Sequence, residues 1–461
     1  MWLLFIILSL LLGYLTISFW RQEFSKIEKI FISFSLGMGE MSLLMFLLGL
    51  LKAPLSVANI ILASGIICLV LLVCSFLKTG SPFKIRWVKL EKLSILEAVL
   101  VLILGFLVIW SLSQSIGWPP FEWDVLALYD FRARVMAETH SLATEFFTSQ
   151  PNLTAYNYVY PFSTSLMHTL IYIGGGSNPQ FLYSLFYASL VFLLYACLRR
   201  RLPRLFSLLL GATLASTPEI LFPSTIAYPN IPYAFYFSFS TIYFWEWIFY
   251  QKTGFLVVSA LFLGLASWIR NTEPFWIVNI FFILIFLLYK RKLLLTLFYA
   301  VVFLTLSQLW PVYQKYIFSH VSSIVFSPPQ TFSFDLTKVP PVTIFVLRFF
   351  IKDWIGYLFI LFMLVILSWR KAIKNLFILF WLGGYLFLSL VGTYFFAVSF
   401  PWWYKVGGSA SRLSVFLAPL ILYTIAMLLA EPRGFSSSLK KIFIFLKIGR
   451  QKIRLLKWPQ K

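Results

Sequence analysis

The chain alternates long apolar runs with short polar breaks. Early runs lie at 1–20, 27–51, 57–77 and 94–113, each near the ~20 residues that a membrane-crossing helix needs. Later runs lie at 179–198, 203–217, 230–250, 254–269, 274–289, 293–311, 342–369, 374–399 and 413–430. The stretch 161–173 is apolar as well, but it is short and ends in Gly174, Gly175 and Gly176. Its length suits a re-entrant or juxtamembrane helix better than a span. Basic residues decide between the two. Lys78, Lys84, Arg86, Lys89 and Lys92 form one cluster; Arg199, Arg200, Arg201 and Arg204, then Lys290, Arg291 and Lys292, then Arg370 and Lys371 form others. All of them share one face only if 161–173 does not cross, and positively charged loops belong on the cytoplasmic side. The expectation is an all-α polytopic membrane protein with about thirteen crossings, one re-entrant or juxtamembrane helix and helices in its external loops. The N-terminus is expected outside and the C-terminus inside. The first run has its charges, Arg21, Lys26 and Lys29, behind it rather than before it, so it reads as an uncleaved span.

Composition sharpens this picture. Of 461 residues 60% are hydrophobic and 12% charged, more apolar surface than a soluble domain can hide. The net charge of +22 does not indicate nucleic acid, because the basic residues sit in short clusters between apolar runs. Residues 1–430 read as the membrane domain. In 431–461 Lys and Arg alternate with Ile, Leu and Phe, the pattern of a basic amphipathic helix on the cytoplasmic leaflet. Cys68, Cys74 and Cys197 lie in apolar runs, and His140, His168 and His320 are scattered. Neither set has disulfide or metal-site spacing, and no required metal is expected.

The acids are placed unevenly. Loop 114–160 holds Glu122, Asp124, Asp130, Glu138 and Glu145 against Arg132 and Arg134. Asp130 and Arg134 are spaced i, i+4 with the acid first, which supports a helix and an ion pair. On the expected topology the same outer face collects Glu219, Arg270, Glu273, Lys405 and Arg412, with Trp118, Tyr158, Tyr160, Tyr228, Trp402 and Trp403. Charges at a membrane are costly and call for a shared explanation. An acid, several arginines and aromatic faces suit a lipid-phosphate sugar and its acceptor: a carboxylate to take the acceptor's proton, and guanidinium groups to hold the phosphate.

The chain here resembles the GT-C superfamily of polyprenyl-phosphate-sugar-dependent glycosyltransferases, in the bacterial branch of protein-O-mannosyltransferases and the aminoarabinose transferase. Four segments carry the resemblance: Trp123-Asp124-Val125-Leu126-Ala127 running to Arg132-Ala133-Arg134, then Tyr158-Val159-Tyr160-Pro161-Phe162, then Trp268-Ile269-Arg270-Asn271-Thr272-Glu273, then Ser409-Ala410-Ser411-Arg412-Leu413. The resemblance implies an outer-face active site in loop 114–160 of a plasma-membrane enzyme of cell-envelope glycan biosynthesis. It makes Asp124 the catalytic base. Arg270 and Arg412 would meet the donor phosphate, and Arg132 and Arg134 would touch it or shape the loop. Glu122, Asp130, Glu273, Tyr160 and Asn230 are further site candidates. Where many relatives carry an acid after Tyr-Ala, this chain has Asn230 following Tyr228-Pro229, which puts a second acidic role in doubt. The implied partners are a polyprenyl-phosphate sugar as donor, a lipid, glycan or protein acceptor, and membrane lipids.

Bland readings stand beside these. Asp124 could be a charge at a helix N-terminus, and Arg270 with Glu273 an interfacial ion pair. Glu28 pairs with the basic loop, and Glu40 is an acid deep in a span. Asp353, with Arg348 and Lys352, marks an irregular helix. Another function class is a transporter or flippase of lipid-linked glycans, which should show repeats, broken helices and midplane sites. A lipid-linked-glycan polymerase or ligase is a nearer alternative.

Overall fold

A computed structural model describes residues 1–20, 23–79, 92–149, 158, 160–320, 335–352, 356–399 and 415–430, and every regular element among them is helical. Helices α1 (Trp2–Ser18), α2 (Lys26–Leu50), α3 (Val57–Thr79) and α4 (Ile95–Gly117) follow the first four apolar runs. Two of them start on the same local signal. Ser25 and Ser94 accept from the backbone N–H of Glu28 and Glu97, and each glutamate accepts from its serine's N–H at 2.8 Å. That reciprocal pair satisfies two of the N–H groups a helix start leaves open. α1 lies against α2 through Gly13 and Gly37, where any Cβ would overlap the backbone of Ser33 or Ser9. Such close approach is how helices gain packing where lipid supplies no hydrophobic drive between them.

Beyond α4 come a π turn (Val125–Tyr129), α5 (Asp130–Thr139), α6 (Thr144–Thr148), α7 (Ser163–Ile173), α8 (Phe181–Leu198) and α9 (Arg204–Ala215). Then follow α10 (Pro218–Leu221), a 3-10 turn (Pro223–Thr225), α11 (Asn230–Tyr250), α12 (Thr253–Ile269), α13 (Glu273–Tyr289) and α14 (Leu293–His320). The last are α15 (Val339–Lys352), α16 (Tyr357–Leu367), α17 (Trp369–Lys374), α18 (Leu376–Ser399) and α19 (Leu417–Leu429).

Ion pairs show which helix ends lie together. Arg200, in the turn between α8 and α9, reaches Glu28 at the start of α2 and Glu246 near the end of α11, the latter at 3.2 Å. Arg201 reaches Glu246 at 3.3 Å and the Tyr423 hydroxyl of α19 at 2.7 Å. Arg204 clasps Glu97, at the start of α4, with two bonds of 2.9 Å. The starts of α2 and α4 and the ends of α8 and α11 therefore share one face, the ion-pair end. α4 leaves that end and α8 returns to it, so residues 118–180 begin and finish at the opposite, loop end. Trp118 confirms the closure, because its carbonyl accepts from Asn178 and Gln180 at 2.9 and 2.7 Å. α7 lies within this excursion without crossing, its far end tied by the Gly174 carbonyl to the Trp2 N–H at 2.9 Å.

Six helices, α2, α3, α4, α8, α14 and α18, are long and apolar enough to cross a membrane, seven if α9 and the segment after it form one span. Shorter apolar helices accompany them, and the chain is a multi-pass membrane protein. This count does not confirm the thirteen expected crossings, and two of the expected spans are interrupted. The run 203–217 is α9 followed by a 68° bend. Pro218 opens α10, and a proline has no N–H with which to continue the α9 ladder. The run 342–369 is two helices, α15 and α16. Gly356 lies at the start of α16 with φ +69°, in the left-handed region that glycine enters at no steric cost. α14 also extends to His320, well past the expected boundary at 311. The tail 431–461 and Asp353 lie outside the described residues.

Candidate active site at the loop end

Asp124 stands immediately before the π turn, partly exposed, over the buried Val125, Leu128 and Tyr129. A π turn carries one more residue per hydrogen-bonded loop than an α turn, and such turns recur at functional sites. Its entry is held by the Glu122 carbonyl, which accepts from Leu126 N–H at 2.9 Å. The Glu122 carboxylate accepts from the Tyr228 hydroxyl at 3.3 Å, which joins this loop to the segment before α11.

The far end of the turn is Asp130, 1% exposed. Its Oδ2 accepts from Arg134 Nε at 2.8 Å, the i, i+4 pair the sequence predicts. Its Oδ1 accepts from the Tyr172 hydroxyl and faces His168 Nδ1 at 3.5 Å. Burial, the largest single effect, pushes the Asp130 carboxyl up, but His168, Tyr172 and Arg134 together outweigh it and hold it at about 2. A carboxylate enclosed this way is poorly placed to accept a substrate's proton. Because its folded value lies below the ordinary 3.8, the stability it adds is present above that value and is lost as pH falls toward the folded one. Replacing Asp130 by Asn should remove about 2 kcal/mol at neutral pH and flatten the melting temperature between pH 4 and 2 relative to wild type, as read by thermal scans in detergent. Parallel acid limbs in the two proteins would refute this.

Arg132 is fully buried. Its guanidinium donates to Ser165 Oγ at 3.0 Å and to the carbonyls of Tyr160 and Pro161 at 2.8 and 3.2 Å. It lies 5.1 Å from the Phe162 ring centre. Of the two roles the sequence leaves open, these contacts are those of a residue that shapes the loop. Arg134 is half-exposed and lies over the Tyr172 ring at 4.9 Å.

Arg270 ends α12 and donates to Asn230 Oδ1 at the start of α11. Thr272 donates to the Tyr233 hydroxyl at 2.7 Å and keeps the α12–α13 link against α11. The Asn230 side chain thus holds the Arg270 guanidinium. Glu273 is exposed, and among the described residues no ion pair joins it to Arg270. Tyr129 lies at the centre. Burial pushes its hydroxyl well above the ordinary range, and Arg270, Tyr160, Arg132 and Asp124 all lie near enough to act on it. The Tyr160 ring centre is 6.2 Å from that of Tyr129. The loop end therefore brings together Glu122, Asp124, Tyr129, Tyr160, Tyr228, Asn230 and Arg270. Arg412 and Lys405 lie outside the described residues. Among the described residues, no three His, Cys, Asp or Glu side chains converge as a metal site would require.

Sequence reasoning missed His168, Tyr172 and Tyr183 as partners of the loop. A signal was present, since His168 and Tyr172 are spaced i, i+4 and so share one face of a helix. The chain matches no protein-family model, no curated protein and no solved structure.

Proposed function

We propose that the protein is an integral membrane glycosyltransferase, similar to the GT-C superfamily, that moves a sugar from a polyprenyl-phosphate donor to a lipid, glycan or protein acceptor at the outer face. The observation that carries this reading is the meeting of Asp124 and Tyr129, at the two ends of one π turn, with Arg270 from a distant chain segment at the loop end. Asp124 takes the acceptor hydroxyl's proton as that oxygen bonds to the sugar's anomeric carbon. The bond from that carbon to the phosphate oxygen breaks, and Arg270, oriented by Asn230, stabilises the departing phosphate. The resemblance makes this a single inverting displacement. On this reading the loop end faces outside, and a topology reporter at Gly175 reads outside. An apolar cleft of about 210 Å³ between α15 and α18, lined by Val342, Leu390 and Phe395 among others, offers room for part of a hydrocarbon chain.

The test offers radiolabelled polyprenyl-phosphate sugars with native lipid extract to the purified protein in liposomes. Transfer is expected with at least one donor. Arg270→Ala should raise the donor KM about tenfold or more, the scale of a lost hydrogen bond to a charged group. An unchanged KM would place the phosphate elsewhere.

One observation favours the flippase reading. The breaks of two discontinuous helices touch: Tyr357, after the break before α16, donates to the Thr213 carbonyl at 2.8 Å and contacts the Thr217 hydroxyl at the end of α9. Broken helices that meet are a transporter feature. Scrambling of a labelled lipid-linked glycan across the liposome bilayer, without transfer, would select that reading.

A further inference from the structure

We infer that His168 and Tyr183 are positioning residues for the Asp124 site, acting through Asp130. The inference rests on the reading of Asp124 as base. The π turn is closed at its C-terminal end by the Asp130 N–H, which donates to the Val125 carbonyl. A π turn has no intrinsic preference over the α turn that would replace it, so its persistence needs anchors at both ends. At the entry the anchor is Glu122 with Tyr228. At the exit it is Asp130, and three of its contacts come from the neighbouring side chains Arg134, Tyr172 and His168.

His168 is the deepest of these. It is 0% exposed and sits on α7. Its Nε2 is 2.7 Å from the Tyr183 hydroxyl of α8. Its Nδ1 points at Asp130 Oδ1 from 3.5 Å, longer than a good hydrogen bond. The two rings meet edge to face, 5.7 Å between centres. The groups facing His168 are Asp130, with its partners Arg134 and Tyr172, and Tyr183, with Tyr129 beyond. Tyr183 fixes the imidazole plane, the imidazole and Tyr172 together fix the Asp130 carboxylate, and Asp130 fixes the last residue of the turn. Arg132, by binding Ser165 and the Tyr160 and Pro161 carbonyls, holds the next turn to the same helix. If the exit anchor slackens, the π turn can relax to an α turn. That shifts the register by one residue and swings Asp124 by about 100° around the helix axis. The placement of the base is then a property of α7 and α8, and not of the loop alone.

The experiment uses the full-length protein in nanodiscs. A nitroxide is placed at Phe121→Cys, an exposed position ahead of the turn, in a Cys74→Ser background because Cys74 is the exposed native thiol. Variants are His168→Leu, His168→Gln and Tyr183→Phe. His168→Leu should add a mobile component to the label's spectrum and lower kcat by about 10- to 100-fold, with the donor KM unchanged. His168→Gln, whose amide can donate and accept, should restore both. Tyr183→Phe, which removes one hydroxyl, should fall between and serves if His168→Leu does not fold. Spectra and kcat that stay at wild type in Tyr183→Phe and His168→Leu overturn the inference. A KM rise with constant kcat overturns it as well. Absence of sugar transfer by wild type with every donor refutes the glycosyltransferase reading, and the nitroxide spectra alone then decide whether these residues hold the turn.

Discussion

Glu246→Ala should destabilise the protein by about 3–5 kcal/mol, the scale for removing one partner of a buried ion pair. Glu246 is 0% exposed and sits in α11 among Trp245, Trp247 and Phe244, all buried. One carboxylate oxygen accepts from Arg200 at 3.2 Å, the other from Arg201 at 3.3 Å and from the Tyr423 hydroxyl. Truncation leaves two adjacent guanidinium groups with Glu28 as their remaining carboxylate among the described residues. Neither arginine can escape readily to water, since their side chains are 17% and 11% exposed. The measurement is thermal unfolding followed by fluorescence-detected size exclusion. Glu246→Gln should lie between, because the amide keeps an acceptor but not the charge. Paired replacement, Glu246→Met with Arg201→Met, should recover part of the loss, because a buried pair exchanged for apolar groups of similar volume is often neutral. Arg134→Ala is the contrast: its ion pair with Asp130 has one half-exposed partner, and such pairs contribute at most about 1 kcal/mol. An Ala variant that melts with wild type would mean that the network is ornamental.

That network also shows what was and was not legible in the chain. The apolar runs gave most helix positions, because a membrane leaves a helix no other way to satisfy its backbone. The basic clusters gave the expectation of a non-crossing stretch at 161–173, since parity is a global property that charge reports. The same clusters were read only as loop charge. Arg200, Arg201 and Arg204 turn inward to Glu28, Glu246 and Glu97. The Ser-x-x-Glu spacings at Ser25 and Ser94 were available as capping boxes, and each glutamate does both jobs. Glu246 gave a weaker cue, a lone acid in an aromatic run, and its partners lie 45 or more residues away in the chain. The breaks at Thr217 and Gly356 were hidden for a different reason. Hydropathy averages over a window and cannot see one backbone angle. At the loop end, the Asp130–Arg134 pair was legible because it is local. The inward turn of Arg132 was not, because two of its acceptors are backbone carbonyls, which no sequence pattern displays, and the third is Ser165 on another helix. The Arg270–Glu273 pair was a local reading that failed, because Arg270 is drawn instead to Asn230 on another helix.

Asp124→Asn should lower kcat for sugar transfer by about 10²–10⁴-fold, the contribution of a positioned general base, with donor binding retained. The reasoning runs through the three acids of the loop. Asp130 is enclosed by His168, Tyr172 and Arg134 and held at about 2, so its replacement acts on folding and on the π turn, not by proton transfer. Glu122 is engaged by Tyr228 at 3.3 Å, and Glu122→Gln keeps an acceptor for that hydroxyl, so its effect should be small. Asp124 is partly exposed, and Asp124 and Arg270 both lie near enough to act on the Tyr129 hydroxyl. On the proposed reading, Asp124 acts as base and Arg270 meets the phosphate, both near Tyr129. Asn is nearly isosteric with Asp, so folding and the donor KM should survive, and the loss should appear in kcat alone. Single-turnover transfer with saturating donor separates the cases. A slowed chemical step with normal donor binding supports Asp124 as base. An unchanged step, with Glu122→Gln slow instead, moves the base two residues back along the same loop and keeps the phosphate side of the site intact.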